Sequence, residues 1–241
     1  MRPIIFSDFD GTIAQVDVTD AMLNEFAEPE WQNVEEEWLA GRIGSRECLR
    51  RQMALVRASA NDLNALIDSV PLDPGFAAFL RWTREQRLPF YVVSDGFDYV
   101  IRRILRRCGA EGELLNGSHL FASSMRVEGT RVKVDFPHGP APCAHGCATC
   151  KPEVIRRLDA GHSPVIFIGD GLSDRFAVET ADVVFAKDKL LAYCRDRSIG
   201  ATPFSTFADI KSDLQLRVGT DAGVPADRTR QQPALIGALD E

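Results

Sequence analysis

Three short apolar runs each break off in a cluster of Asp, Ser and Gly. They are Pro3–Phe6 before "SDFDG", Phe90–Val93 before "SDGF", and Val165–Ile168 before "GDGLSD". Continuous apolar runs bounded in this way predict strands buried on both faces, as in a parallel sheet under helices. "ADVVFAK", Ala181–Lys187, reads as a fourth strand. Between the runs, apolar positions recur at helical spacing over Phe76–Gln86, Tyr99–Gly109 and Pro152–Ala160. The alternation predicts an α/β fold with a doubly wound parallel sheet, and such sheets bind ligands beyond the carboxyl ends of their strands. All three polar tips fall on that edge.

Two regions break the alternation. From Ala14 to Pro71 the pattern is helical with no strand, which predicts an inserted helical cap. From Glu113 to Pro142, "HLFASSMRVE" and "RVKVDF" lean towards β structure around turn residues, a strand plus a hairpin. From Leu214 the chain turns polar, as a mobile tail or an oligomer contact would. The expected division is a core of residues 1–13 and 72–213, a cap of 14–71 and a tail of 214–241. Trp31 and Trp38, seven apart, are expected in the core of the cap.

The 241 residues carry a net charge of −7, which argues against a nucleic-acid partner. The densest basic stretch, Arg102, Arg103, Arg106 and Arg107, is spaced as one solvated helix edge. No apolar run reaches the roughly 18 residues that span a bilayer, so no membrane partner is expected. The first residues form a strand-like run without signal-peptide features, which makes the cytoplasm the expected location. Of six cysteines, Cys48, Cys108 and Cys194 stand singly in helical contexts as small core residues.

Asp8 and Asp10 lie two apart at a strand end, where alternate side chains share a face. Two carboxylates in one site suit a hard divalent cation between them, and oxygen-only ligation selects Mg²⁺. Asp170 ends another strand, and Asp174 follows four residues later, one turn into the next helix on the same side. Phosphoryl transfer also needs donors and positive charge. Ser94 and the backbone at Gly96 can donate to phosphate oxygens. Lys151, at a helix start beside Pro152, opposes its own helix dipole and is better aimed at an anion. Gly11 lets the chain turn without crowding a phosphate, and Thr12 offers a further donor.

In order and spacing, "DFDGT", "SDG", a lysine and "GDGLSD" resemble the four motifs of the haloacid dehalogenase-like phosphohydrolases over residues 4 to 187. The resemblance implies a Rossmann-like core with a C1 cap. It makes Asp8 the nucleophile that becomes an aspartyl-phosphate, and Asp10 the general acid and base. The Asp10 carbonyl would complete a Mg²⁺ site with Asp8 and Asp170, with Asp174 bound directly or through water. The "SDGF" motif and the run into "CK" are similar to the branch with methionine-salvage, phosphocholine, phosphoethanolamine and pyridoxal-phosphate phosphatases. The implied substrate is a small phosphorylated metabolite, foremost 2-hydroxy-3-keto-5-methylthiopentenyl-1-phosphate. Phosphoserine phosphatase, a close relative whose pattern reads S-G-G-F where this chain has Asp95, stays an alternative beside phosphocholine, phosphoethanolamine and pyridoxal-phosphate phosphatases. Haloacid dehalogenation and a non-catalytic phosphate-binding module are the readings from other classes. Asp10 and Asp170 argue against the first, and the intact motifs against the second. The protomer is expected as a monomer or homodimer.

In "CAHGCATCK", Cys143, Cys147 and Cys150 with His145 could hold a structural Zn²⁺, or the thiols could be reduced, buried or disulfide-prone loop residues. The cap should choose the substrate, with Asp17, Asp20, Glu25, Arg46 and Arg50 as candidates.

Overall fold

The computed structural model describes residues 2–218, apart from 111, 113, 115–117, 141–142 and 160–163. The first apolar run forms β1 (Ile4–Ser7), every residue of it buried. The remaining strands are β2 (Phe90–Phe97), β3 (Leu120–Glu128), β4 (Arg131–Asp135), β5 (Val165–Gly169), β6 (Val183–Ala186) and β7 (Thr202–Pro203). They form one sheet in the order β4-β3-β2-β1-β5-β6-β7. Every pairing is parallel except β3 with β4. The chain builds outward from β1 through β2 and β3, then crosses to β5 on the other side. A doubly wound sheet opens its ligand crevice at such a reversal.

Side chains alternate across the strands, so each strand feeds two cores. Ile5, Val92, Ile166 and Ile168 join one face, against α5 (Phe76–Glu85), α6 (Asp98–Arg107) and α9 (Phe207–Val218). Phe6, Val93, Phe167 and Val184 join the other, against α7 (Lys151–Asp159) and α8 (Asp188–Asp196). Each fully buried Phe or Ile contributes about 1.5–3 kcal/mol. A sheet packed dry on both faces gives the polar tips a rigid support.

The cap comprises α1 (Val18–Phe26), α2 (Trp31–Leu39), α3 (Ser45–Leu55) and α4 (Ala60–Ser69). The chain leaves the core at Ala14 and returns at Leu72, and these two residues pair as an antiparallel bridge. Asp17 caps α1 by accepting from the Asp20 amide at 2.9 Å. Ser59 and Asp62 form a capping box on α4, a feature typically worth about 1 kcal/mol. The far side of the cap rests on the β3–β4 hairpin, where the Ala58 amide donates to the Thr130 carbonyl at 3.0 Å.

Several expectations change. β3 serves both as the parallel partner of β2 and as the first arm of the hairpin, so one hairpin replaces a strand plus a hairpin. The arginine edge of α6 is not merely solvated. Arg103 pairs with Asp68, and Arg107 donates to the carbonyls of Ile67 and Val70, which staples α6 to α4. The polar turn after Leu214 comes later than expected, because α9 runs to Val218 and Leu214 is buried against the core. The rest of the expected tail, 219–241, lies outside the described residues. No helix among the described residues is long and apolar enough to cross a membrane.

Candidate active site

β1 stops at Ser7, so Asp8 and Asp10 are brought together by the turn beyond the strand rather than by strand alternation. Gly11 makes that turn at φ +67°, and a Cβ there would collide with the Asp170 carboxylate. Only glycine meets both demands without strain. The Asp8 amide, continuing the sheet pattern, donates to the Ile168 carbonyl at 2.9 Å. The Phe9 amide donates to Asp8 Oδ1 at 2.7 Å and fixes the carboxylate.

Lys151 opens α7 and is 2% exposed. Its ammonium lies 2.8 Å from Asp8 Oδ2 and 2.5 Å from Asp174 Oδ1. Burial alone would push the lysine down, but Asp174, then Asp8 and Asp95, outweigh burial and raise its pKa, so it stays charged. The anions that this lysine faces are the carboxylates of Asp8 and Asp174. Asp174 sits in a short 3-10 turn, Leu172–Asp174, rather than one turn into an α-helix. Its second oxygen accepts the amides of Asp170 and Gly171.

Asp170 follows β5. Burial, then the charge of Asp8, pushes its carboxyl up to about 6. The Thr12 hydroxyl donates to Asp170 Oδ1 at 2.5 Å. Thr12 is fully buried and therefore aims at a carboxylate rather than at a phosphate, because the turn folds it under the site. One oxygen from each of Asp8, Asp170 and Asp174 lies within 4.8 Å of the others. Three hard oxygens at that spacing, brought in from two strand ends and a turn, fit a Mg²⁺-type cation.

Asp10 stands apart from that trio. Its Oδ1 accepts the Val18 amide at 3.0 Å. Burial, then Asp17 and Asp8, raises its pKa well above the ordinary carboxylate range. A carboxyl that holds its proton in such a site is equipped to donate it. Ser94 and Gly96 lie in β2, where the register shifts between Val93 and Phe97. Ser94 Oγ accepts the Gly96 amide at 3.0 Å. A Cβ on Gly96 would run into the Asp10 carboxylate, so glycine is required at that close approach.

Above these residues opens a cleft of about 400 Å³ between core and cap. Of the cap candidates, Asp17 and Asp20 line it. Burial, then the charge of Asp20, pushes Asp17 up to about 7. The other cap candidates do not reach it. Glu25 is exposed on α1 outside the cleft. Arg50 pairs with Glu47 on the outer face of α3. Arg46 donates to the carbonyls of Cys147 and Pro140. Sequence reasoning passed over Glu35, Gln52, Lys187 and Lys189, all in the cleft wall. Their signal was absent, since each is an ordinary helix or loop residue until the cap closes over the sheet. Trp31 packs against the core cluster, but Trp38, nearer the end of α2, overhangs the cleft.

Asp95 was legible only as a departure from the S-G-G pattern. It accepts the Thr149 amide at 2.8 Å and the Ser45 hydroxyl, joining β2, the Lys151 loop and cap helix α3. The sulfurs of Cys143, Cys147 and Cys150 also lie within 4.8 Å of one another. His145 does not join them. Its ring stacks on Phe176 at 3.8 Å between centroids, so the expected three-cysteine, one-histidine set is not formed.

Residues 5–179 match the model of the haloacid dehalogenase-like hydrolases. A Geobacillus thermodenitrificans protein named 2-hydroxy-3-keto-5-methylthiopentenyl-1-phosphate phosphatase is 31% identical over 215 residues, 88% of this chain and 95% of that one. A Lysinibacillus sphaericus protein of the same name is 30% identical, covering 93% of this chain and 99% of its own. Among solved structures, a phospho-aspartyl intermediate analogue of phosphoserine phosphatase superposes with a TM-score of 0.65 at 17% identity, over 89% of this chain and 98% of that chain. A HAD family hydrolase from Salmonella enterica serovar Typhi gives 0.66 at 17% identity, over 86% and 69%. These two structures share the fold. The carboxylates and lysine at the sheet edge, the helical insert after the first motif and the matched span together carry the assignment: the chain belongs to the haloacid dehalogenase-like hydrolase family.

Proposed function

We propose that the protein is a Mg²⁺-dependent phosphomonoesterase acting on a small phosphorylated metabolite. The observation that carries the reading is the buried Lys151 ammonium bridging Asp8 and Asp174, with the raised carboxyl of Asp10 beside it. Asp8 attacks phosphorus and forms an aspartyl-phosphate. Asp10 gives its proton to the leaving oxygen and releases an alcohol. The same carboxylate then takes a proton from water, whose oxygen attacks phosphorus and frees Asp8 and inorganic phosphate. Ser94, the Gly96 amide and Lys151 hold the phosphoryl oxygens. Asp8 and Asp170, with the Asp10 carbonyl and Asp174, would hold Mg²⁺, which when bound supplies positive charge to the phosphoryl group.

The substrate reading is 2-hydroxy-3-keto-5-methylthiopentenyl-1-phosphate. It is supported by the names of the relatives and by the apolar cleft wall. Val16 and Leu39 are 40% and 57% exposed, and both face the cleft beside Trp38. Exposed apolar side chains around a polar floor suit a methylthio tail. The acids Asp17, Asp20 and Glu35 in the same wall favour a second reading, a leaving group bearing an ammonium, as in phosphoserine or phosphoethanolamine. A panel of phosphorylated metabolites with Mg²⁺ separates them. The enol phosphate is expected to lead by about 100-fold in kcat/KM, close to 3 kcal/mol. An ammonium-bearing substrate in front overturns the substrate reading, and no turnover of any member overturns the phosphatase reading.

A further inference from the structure

The loop between β4 and α7 carries a second constellation that the phosphatase chemistry leaves unused. Its three thiols converge although they are separated by three and two residues along the chain. The loop does this through a turn at Gly146, whose φ of +59° is left-handed. The Gly146 amide donates to the Cys143 carbonyl at 3.1 Å and closes the turn. The Cys143 sulfur then accepts the amides of His145 and Cys147 and the thiols of Cys147 and Cys150. The Cys150 sulfur accepts the Glu153 amide in the first turn of α7.

We propose that Cys143, Cys147 and Cys150 form a three-thiolate site for one soft divalent cation of the zinc class. Thiolate ligands select such metals over Mg²⁺. At Zn–S bonds of about 2.3 Å in tetrahedral array, sulfurs sit roughly 3.8 Å apart. Sulfurs already within 4.8 Å reach that spacing by side-chain adjustment of about an ångström. Binding releases the three thiol protons to solvent and forms three metal–sulfur bonds. With the His145 ring held on Phe176, water takes the fourth position. The site then carries one net negative charge, and the Arg46 guanidinium, on the Cys147 carbonyl at 3.1 Å, lies close enough to offset it. A disulfide between any two of these cysteines would leave the third thiol without a role in the cluster, whereas a metal uses all three.

The position gives the site a consequence. Cys150 immediately precedes Lys151, and the same loop holds the cap. The Arg46 amide donates to the Gly146 carbonyl at 3.0 Å, and the Ala148 amide to the Ser45 hydroxyl at 3.0 Å. A metal on the three thiols therefore fixes in one place the root of the lysine and the seat of α3.

The test uses the full chain expressed in zinc-supplemented medium and purified without chelator. About one equivalent of zinc per chain is expected by elemental analysis. Cobalt exchanged into the site should show thiolate-to-metal charge-transfer bands and tetrahedral ligand-field bands. Cys147→Ser and Cys150→Ser should each lower metal affinity by about tenfold or more, while Cys108→Ser, remote from the loop, should leave it unchanged. Far-ultraviolet circular dichroism of each variant checks folding. If a cysteine variant fails to fold, the cobalt spectrum of the unmutated chain decides. Bands without sulfur character overturn the proposal. So does metal below about a tenth of an equivalent, or a disulfide among the three found by mass spectrometry without reduction.

Discussion

The floor of the cleft and its cap wall treat charge in opposite ways. On the floor, Asp8, Lys151 and Asp174 are each 5% exposed or less, and every one is fixed by ion pairs or amides. In the wall, Leu39 and Val16 stand exposed, and the polar groups have fewer ties, as where Gln52 Nε2 and the Cys48 thiol both donate to Glu35. Buried paired charges are strong only with good geometry, which a packed sheet edge supplies and a four-helix insert does not. The floor is thus preorganised for one reaction, while the wall offers shape and area to whatever the phosphate carries.

The sharpest break in that contrast is removal of the Asp8 carboxylate, the proposed nucleophile, from the floor. Asp8→Asn should lower kcat on p-nitrophenyl phosphate by about 10⁴-fold or more with the fold retained. Steady-state rates and circular dichroism check this, and substantial remaining turnover would remove Asp8 from its role. Lys151→Met keeps the volume but leaves Asp8 and Asp174 facing each other without a cation. A loss of about 3–5 kcal/mol in urea unfolding is expected, with activity lost as well. Unchanged stability would mean that the floor does not depend on the pair.

The wall should respond differently. Trp38→Ala should raise KM for the preferred metabolite by about tenfold, about 1.4 kcal/mol, and leave p-nitrophenyl phosphate turnover within about twofold. Equal losses on both substrates would put Trp38 in the floor's category. The smallest effect concerns Asp17. Its carboxyl is raised to about 7, by burial first and then Asp20. Such a group binds more protons folded than unfolded between its two pKa values. Its contribution is complete below about pH 4 and is lost as pH rises through about 7. Asn keeps the helix cap and cannot ionise. Asp17→Asn should therefore gain stability at pH 8 relative to pH 5. The gain should be about 0.5–1 kcal/mol, because cleft water still reaches the residue. Unfolding at the two pH values measures it, and a gain larger at pH 5 would reverse the sign.

Much of the floor was legible because each of its parts announces itself locally. An apolar run ending in "DFDG" or "GDGLSD" specifies both a strand and what sits at its tip. The strands realised at Ile4–Ser7 and Val165–Gly169 match those runs within a residue. What the sequence hid depends on closure. Thr12 looked like a phosphate donor until the turn directed its hydroxyl to Asp170. Arg46 looked like a substrate residue until α3 met the cysteine loop. Lys189 and Glu35 lie far apart in the chain, and only the folded insert brings them to one cleft. β7, two residues long, and the burial of Leu214 follow from long-range packing that no local period reports.

The bridge between Ala14 and Leu72 has a consequence for how such an enzyme diversifies. Departure and return share one residue pair, and the Gln15 amide closes the neck onto the Pro71 carbonyl at 2.9 Å. Both ends of the insert therefore enter the core at one short stem. Loop-closure entropy grows only with the logarithm of length, so replacing these helices by a longer or shorter segment alters the stem's closure by less than about 1 kcal/mol per doubling. The stem works as a socket, and a segment exchanged into it changes which molecule is read, provided that it restores the amide on Asp10 and the hydroxyl on Asp95 that α1 and α3 now supply.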